Sequence, residues 1–299
     1  KYIYENDEIR RECQLLIDEA DIVITGSITN SLIKKRLKDG KLTFRYSERL
    51  YKKGFNWYEL PARALLFFLR SGRYKNLYLL CASAYTAADY AKTYTFINKA
   101  YKWGYFPQKI VYRNINSMIK SKATNSILCV SRLIEWKHPE VSIEIAKRLK
   151  SDGYDFHLNV IGNGILENKL KKTIFDNHLE NCVHLLGSMP PEKVREYMEC
   201  SQIFLFTSDF NEGWGAVLNE SMNSGCAVVA SHAIGSVPFL LENGVNGLIY
   251  ENGNIDDLYS KVIWLLNHPN EQNKFGKNAY STIVEHWNAD NAAKRFIKL

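Results

Sequence analysis

Two glutamates eight residues apart stand out in the stretch NEGWGAVLNESMNSG (211–225). Glu212 lies in a turn that follows the apolar run IFLFTS, and Glu220 lies on the helical pattern after that turn. A carboxylate can accept hydrogen bonds from two neighbouring hydroxyls, such as those of a ribose. The spacing therefore indicates a site that holds two sugar rings on either side of a diphosphate. The alternative is that Glu212 only favours the start of a helix and that Glu220 is an exposed charge.

Backbone amides are the second feature of this stretch. Gly213, Trp214 and Gly215 separate the strand-like run from the helix-like run. In parallel α/β sheets, ligands bind beyond the carboxyl ends of the strands, and amides at the start of a helix bind anions. We therefore expect these amides to contact phosphate oxygens, which glycine allows to approach the backbone closely.

Two cations follow another strand-like run. Arg132 and Lys137 lie in CVSRLIEWKHPE (129–140), directly after the apolar run SILCVS. Because the carboxyl ends of parallel strands meet at one edge of a sheet, we expect both cations near Glu212. Cations at that edge neutralise a diphosphate and stabilise it as a leaving group.

Glycine-rich turns follow further strand-like runs. Gly162 and Gly164 form a tight turn in VIGNGILENKL (160–170), and Gly235 opens GSVPFLLENGVNGLIY (235–250). Each is by default a plain turn. Their order along the chain, together with the glutamates and cations, favours one shared ligand site.

Short apolar runs alternate with helix-like stretches along the whole chain, which is typical of parallel α/β sheets. Helical patterns between the runs include 141–153, where apolar residues recur every three or four positions before Gly153. The predicted strands are 21–26, 42–46, 77–83 and 101–105, then 126–131, 156–162, 183–187, 203–208, 226–231 and 247–250.

The length of 299 residues suits two domains, and the polar stretch RNINSMIKSKATN (113–125) separates the two series of strands. We therefore predict an α/β protein of two doubly wound, Rossmann-like domains with a boundary at 115–125. The first element, 6–20, is a helical pattern, although such a domain usually begins with a strand. We expect the first domain to lack its N-terminal strands.

Charge is distributed unevenly. Residues 1–122 hold 23 Lys and Arg against 11 Asp and Glu, whereas 123–299 hold 16 against 21. The first half is also rich in aromatics, and it contains no apolar run long enough to span a membrane. A basic, aromatic-rich half predicts peripheral contact with an anionic membrane, or else it is an ordinary solvated face. Six scattered cysteines without a C-x-x-C pair indicate free thiols in a reducing compartment, the cytoplasm.

These motifs together resemble the retaining glycosyltransferases of family 4, which have the GT-B fold. The resemblance rests on SRLIEWK, VIGNG, LLGSMPPEKV, NEGWGAVLNESMNSG and GSVPFLLENGVNGLIY, and it covers about residues 126–290. It implies an acceptor-side domain at 1–120 and a nucleotide-sugar-binding domain at 121–285. It also implies a C-terminal helix at 286–299, which returns toward the first domain.

The resemblance further implies catalytic roles. Arg132 and Lys137 match the pair that grips the donor diphosphate, and Glu212 matches the glutamate that touches the donor sugar. Glu220 matches the glutamate that binds the ribose.

Other donor-binding residues match the family's strand-end backbone segments. The turn at 213–215 corresponds to the amides under the phosphates, and 187–189 to the segment near the base. The residues are Gly162, Gly187, Ser188, Met189, Gly213, Trp214 and Gly215.

The sequence departs from the family at several positions. Phe239 stands where a glutamate is common, so that loop is expected to be structural. In the first half, Gly26 and Ser27 stand where many members carry a histidine near the reaction centre. The strand end 46–48 likewise reads Tyr-Ser-Glu, so no acceptor-side catalytic residue is carried over.

Motifs for metal and nucleotide loops are missing from the sequence. It contains no Asp-x-Asp, no H-x-x-x-H and no G-x4-G-K-[ST]. Because Arg132 and Lys137 are expected to hold the diphosphate, we predict neither metal nor cofactor, with the nucleotide sugar as substrate and no nucleic acid as partner.

The predicted function is retaining transfer of a sugar from a nucleotide-diphosphate sugar to a carbohydrate acceptor. A lipid-linked acceptor at the inner face of the plasma membrane fits the basic first half, and suggests polysaccharide assembly. One alternative is a nucleotide-sugar-binding partner subunit without catalysis. Another is a nucleotide-sugar epimerase or hydrolase of the same fold.

Overall fold

The computed structural model describes residues 6–26, 30–52, 54 and 56–299. The chain divides into two compact units, Lys1–Gly104 and Tyr105–Leu299. The division lies ahead of the predicted boundary because the segment after Gly104 packs within the second unit. There, the Ile110 amide donates to Asn223 Oδ1 at 2.7 Å, and Ile119 is buried.

This division changes the charge contrast. The first unit holds 19 Lys and Arg against 11 Asp and Glu, and the second holds 20 against 21. The first unit is therefore the basic one, with a net charge of +8. Four basic residues of the predicted basic half belong to the second unit: Lys109, Arg113, Lys120 and Lys122.

In the described part of the first unit, the sheet has four parallel strands in the order β1-β2-β3-β4. The described strands follow one another in chain order, and this parallel α/β arrangement is consistent with the predicted Rossmann-like unit. The strands are β1 (Val23–Thr25), β2 (Thr43–Ser47), β3 (Leu77–Cys81) and β4 (Ala100–Lys102). The helices are α1 (Asp7–Glu19), α2 (Asn30–Lys38), α3 (Leu60–Phe67) and α4 (Thr86–Ala91).

The core of the first unit lies between this sheet and its helices. Leu77 and Leu79 on β3 are fully buried and pack with Ile33 and Leu37 of α2. The helix α3 is different, because none of its residues is buried. It continues into a π-helical turn, Phe68–Gly72.

The second unit contains a parallel sheet of six strands in its described residues, in the order β10-β9-β8-β5-β6-β7. The strand order reverses between β5 and β8, so the predicted double winding is confirmed here. The strands are β5 (Ser126–Val130), β6 (His157–Ile161), β7 (Val183–Leu185), β8 (Ile203–Phe206), β9 (Ala227–Ser231) and β10 (Leu248–Tyr250).

Helices cover both faces of this sheet. Both β8 and β9 are buried along their whole length, as expected for strands that face helices on two sides. The helices are α5 (Ile115–Lys120), α6 (Pro139–Ser151), α7 (Glu167–Asp176), α8 (Pro191–Cys200), α9 (Val217–Asn223), α10 (Val237–Leu240), α11 (Ile255–Asn267), α12 (Pro269–Ser281) and α13 (Ala289–Phe296).

The C-terminal segment packs within the second unit. Before α13, the indole of Trp287 stacks on Trp214 at 5.5 Å between ring centroids and on Phe106 at 5.4 Å. Its ring N–H donates to the Tyr105 carbonyl at 3.1 Å. The return of this segment toward the first domain stays a prediction.

Candidate functional site

The loops after β5 and β8 flank the point where the strand order of the second sheet reverses. Lys137 lies at the end of a short 3-10 helix after β5, and Glu212 lies in the loop after β8. The Lys137 ammonium contacts the Glu212 carboxylate, and the Ser208 hydroxyl donates to the same oxygen at 3.2 Å. The structure therefore brings together two of the three predicted catalytic side chains at a place where α/β sheets bind ligands.

This ion pair is poorly accessible to water. The side chain of Lys137 is 13% exposed and that of Glu212 is 9% exposed. Removing one partner would leave the other charge buried and uncompensated, which is costly in proteins. The pair thus holds both side chains in one arrangement.

An aromatic ring accompanies the two cations. The Lys137 ammonium lies 4.3 Å from the centroid of the Trp136 ring, and the Arg132 guanidinium carbon lies 5.6 Å from it. Both positions are within cation–π range. Arg132 itself is exposed, so its guanidinium is accessible to a ligand. Sequence reasoning missed Trp136, although it directly precedes Lys137.

The glycine turn after β6 supports the loop that carries Arg132. Gly162 has φ +142°, and a Cβ there would stand 1.8 Å from the Ser131 carbonyl oxygen. A Cβ on Gly164, with φ +159°, would stand 2.3 Å from the Leu133 carbonyl oxygen. Only glycine allows this approach of two backbones.

Main-chain hydrogen bonds join these strand-end loops. The Ser131 amide donates to Ile161 O at 3.0 Å, and Leu133 to Asn163 O at 2.8 Å. The Gly162 amide donates to Gly187 O at 2.8 Å. The amide of Gly162 is therefore already engaged, and its predicted contact with the donor stays a prediction.

The turn at 213–215 is shaped by packing as well. Gly215 has φ +82°, and a Cβ there would stand 2.4 Å from Phe206 Cζ and 3.3 Å from Glu212 Cγ. Glycine at this position thus lets the turn lie against the Phe206 ring, next to the Glu212 side chain. Among the described residues, no main-chain acceptor receives a hydrogen bond from the amides of Gly213, Trp214 and Gly215.

The turn differs from the prediction in two ways. Helix α9 begins at Val217, so Gly213 and Trp214 precede its first turn. The Trp214 side chain is fully buried, and its ring N–H donates to Asn219 Oδ1 at 2.8 Å. Any contact of Trp214 with a ligand must therefore come from its backbone.

Glu220 lies in the first turn of α9 and is partly buried. Burial raises the pKa of its carboxyl, and the positive charge of Arg195 opposes that shift. A guanidinium nitrogen of Arg195 donates to the Glu220 carbonyl at 3.2 Å and to Ser224 Oγ at 3.3 Å. Glu220 and Arg195 both line a cavity of about 440 Å³ beside α8. Sequence reasoning missed Arg195, because nothing in its own helix relates it to Glu220.

The segment predicted to lie near the base follows β7 at the same edge. Gly187 has φ +70° with open space around it, and Ser188 is exposed. Met189 is partly buried and packs against the core of the second unit. Contact of these residues with a base stays a prediction.

A histidine next to Lys137 was also missed. His138 has φ +49°, and its two ring nitrogens lie 3.0 Å from Glu140 Oε1 and 3.2 Å from Asp209 Oδ2. The hydrogen bond to Glu140, helped by that to Asp209, raises the pKa of His138 above its ordinary value. His138 thereby joins the loop after β5 to the loop after β8.

At the corresponding positions of the first unit, the polar side chains at the end of β2 have contacts of their own. Gly26 is exposed, and Ser27 lies outside the described residues. The Tyr46 hydroxyl donates to the Gly104 carbonyl at 3.1 Å, and Ser47 Oγ lies 3.1 Å from the Tyr90 hydroxyl. Glu48 pairs with Lys52.

Phe239, where the family often carries a glutamate, packs with Trp214 and Trp287 at 6.2 and 5.9 Å between ring centroids. The ring thus belongs to an aromatic cluster of the core. Over the described ranges, we find no group of three or more His, Cys, Asp and Glu side chains suited to a metal ion. Likewise, no described helix has both the length and the apolar character to cross a membrane.

Two curated relatives are similar to this chain. The amylovoran biosynthesis glycosyltransferase AmsK of Erwinia amylovora is 39% identical over 144 residues, which cover 46% of this chain and 35% of the relative. The poly(ribitol-phosphate) alpha-N-acetylglucosaminyltransferase of Staphylococcus aureus is 30% identical over 173 residues, 57% of this chain and 34% of the relative. The chain thus spans about a third of the length of these relatives.

A solved structure with a similar fold is that of HepE from Anabaena, determined in complex with UDP. It superposes with a TM-score of 0.73 at 16% identity, over 98% of this chain and 82% of that protein. This structural similarity supports the predicted α/β architecture, which is that of GT-B glycosyltransferases. The family model described as "Glycosyl transferases group 1" matches residues 113–282, more than half of the chain. This chain therefore belongs to the group 1 glycosyl transferases.

Proposed function

We propose that this protein transfers a sugar from a nucleotide-diphosphate sugar to a carbohydrate acceptor, with retention of the anomeric configuration. The observation that carries the proposal is the Lys137–Glu212 contact at the switch point of the second sheet. Membership of the family supplies the class of reaction. The retaining outcome rests on the resemblance of the motifs.

In this proposal, Lys137 and Arg132 take up the charge of the departing nucleotide diphosphate. An ammonium has three donors, so Lys137 can bond Glu212 and a phosphate oxygen together. The exposed guanidinium of Arg132 can form paired bonds with phosphate oxygens. Contacts that strengthen as negative charge develops lower the barrier to the reaction.

The remaining donor contacts are assigned to Glu212, Glu220 and the turn at 213–215. Glu212 positions the donor sugar from its fixed place beside Lys137. Glu220 accepts hydrogen bonds from the ribose hydroxyls, and the amides of the turn meet the phosphates. Because HepE was solved with UDP, uridine diphosphate is the first nucleotide to test.

For the acceptor, we propose a lipid-linked glycan at the cytoplasmic face of the membrane, in polysaccharide assembly. One named relative acts in amylovoran biosynthesis, and the name of the other indicates poly(ribitol phosphate) as its acceptor. The basic first unit suits a substrate on an anionic surface.

The test combines binding with product analysis. Calorimetry with UDP should give saturable binding, and a panel of nucleotide sugars should identify the donor through transfer to a lipid-linked acceptor. The anomeric configuration of the product follows from nuclear magnetic resonance. Hydrolysis or epimerisation of the donor without transfer would favour the alternative enzymes, and binding without turnover would favour a partner subunit.

Metal independence is part of the same proposal. Because Lys137 and Arg132 are assigned the charge-neutralising role, turnover should persist in excess EDTA. Loss of turnover with EDTA and recovery with magnesium or manganese would contradict the proposal.

A further inference from the structure

One helical segment of the first unit exposes large apolar side chains. On α3 and the π-helical turn after it, Leu65 is 61% exposed, Leu66 41%, Phe68 49% and Leu69 47%. We call these four residues the apolar patch. Contiguous exposed apolar groups on a protein surface mark interaction sites more often than scattered ones do. The segment therefore has a surface suited to a partner.

Aromatic residues with polar edges precede the apolar patch. Trp57 is 78% exposed and Tyr58 is 66% exposed, and both lie in a short 3-10 helix that leads into α3. Tryptophan and tyrosine are enriched at the headgroup level of membranes, because one end of each ring system is apolar and the other is polar.

A basic cavity adjoins the apolar patch. It has a volume of about 300 Å³, and Leu69 of the patch forms part of its lining. Lys34, Arg70 and Arg73 also line it, and none of the described lining residues is acidic. Arginine and lysine clusters of this kind recognise phosphate groups.

The sign of the charge decides between kinds of partner. Residues 57–75 contain four basic side chains and one acidic side chain, Glu59, which pairs with Arg63. A second copy of this chain would place like charges opposite one another in a symmetric interface. An anionic lipid surface offers the opposite charge together with an apolar interior.

We propose that this face docks on an anionic lipid bilayer. The apolar patch enters the boundary between headgroups and acyl chains, and the basic cavity receives the phosphate of an anionic lipid. Trp57 and Tyr58 lie at the level of the headgroups. The docking surface does not depend on the sugar-transfer chemistry, and its tests require no turnover.

The first part of the test measures how binding depends on charge, by flotation of the full chain with liposomes. Phosphatidylcholine liposomes with a phosphatidylglycerol fraction should recover the protein, and pure phosphatidylcholine should recover little. Arg70→Gln/Arg73→Gln should weaken partitioning about 30-fold. The matched pair Lys172→Gln/Lys277→Gln, which removes two exposed charges of the second unit, should bind as wild type.

The apolar arm uses Leu65→Ser/Phe68→Ser, which should reduce partitioning at least tenfold, since burial of each large side chain favours the bound state. The control Ile165→Ser/Phe175→Ser replaces side chains of the second unit that are 79% and 68% exposed, and should change nothing. Circular dichroism and the melting temperature show that each variant is folded.

Tryptophan fluorescence locates the contact. Addition of anionic liposomes should shift the emission to the blue, and Trp57→Phe should abolish the shift. Equal binding to neutral and anionic liposomes would overturn the proposal. So would wild-type binding by Leu65→Ser/Phe68→Ser and by Arg70→Gln/Arg73→Gln. Concentration-dependent self-association without lipid that Leu65→Ser/Phe68→Ser abolishes would also overturn it, in favour of a second copy.

Discussion

The two units of this chain differ in where their candidate functional side chains lie. In the second unit, strand-end loops are joined by main-chain hydrogen bonds, and they hold an almost buried lysine–glutamate pair. In the first unit, polar side chains at the end of β2 bond to other residues of the same unit, and the notable surface is the exposed face of α3.

The family match falls entirely on one side of this comparison. It covers 113–282, which lies within the second unit. The features that the group 1 glycosyl transferases share are therefore those of the second sheet and its switch point. The first unit lies outside this match and carries a net charge of +8.

The largest expected effect concerns the ion pair. Lys137→Met should lower kcat about 10²–10³-fold, because it removes the cation that we propose takes up leaving-group charge. It should also lower the free energy of unfolding, since Glu212 is left buried without its partner. Steady-state kinetics on protein checked by circular dichroism measure both.

Its control lies in the first unit. Lys38→Met removes an exposed lysine of α2 and should leave kcat unchanged. A folded Lys137→Met enzyme with wild-type kcat would contradict the catalytic role proposed for the ion pair of the second unit.

The second prediction compares glycines. Gly162→Ala should lower the free energy of unfolding by about 3 kcal/mol or more, because its Cβ would clash with the Ser131 carbonyl and the backbone is strained. Gly40→Ala, at φ +74° with open space, should cost only about 1–2 kcal/mol. Urea unfolding of both variants gives the two values, and equal losses would show that the loops of the second unit are not tightly joined.

The third prediction concerns donor affinity. Glu220→Gln should weaken binding of the nucleotide diphosphate by about 1.5–3 kcal/mol, through loss of the charged acceptor that we propose for the ribose. Glu192→Gln, which lines the same cavity, is the control and should bind as wild type. Calorimetry that gives unchanged affinity for Glu220→Gln would reject the ribose role.

The smallest expected effect is a dependence of stability on pH. The pKa of His138 is raised in the folded protein, so its contribution is fully present below the ordinary histidine pKa of about 6.5. That contribution is lost as the pH rises through the higher folded pKa. All seven histidines lie in the second unit, so a dependence of stability on histidine protonation concerns that unit.

Thermal unfolding of wild type and His138→Gln on both sides of this window measures the contribution. The difference in melting temperature between the two proteins should shrink as the pH rises. A difference that grows with pH would contradict the assigned sign.

Much of the fold could be predicted from the sequence, because each strand is a short apolar run bounded by turn residues. Every predicted strand is found among the described residues, from β1 to β10. The meeting of Lys137 with Glu212 also followed from the rule that the carboxyl ends of parallel strands share one edge.

Other features depend on contacts between distant segments, and the sequence carries no local signal for them. Gly162 is required by the position of Ser131, and the Trp214 ring is buried by Trp287. Arg195 meets the Glu220 backbone only because α8 and α9 lie side by side. The exposure of α3 could not be predicted either, since its apolar residues resemble those of a helix that packs in a core.

The hydrogen bonds that join the loops after β5, β6 and β7 have a consequence for ligand binding. Their amides should exchange with deuterium nearly as slowly as those of the sheet, since they open only when the loops separate. A nucleotide that arrives at this edge meets a surface already ordered by folding, so little conformational entropy is lost there on binding. The affinity of this edge for its ligand should accordingly depend little on the motion of loops elsewhere in the chain.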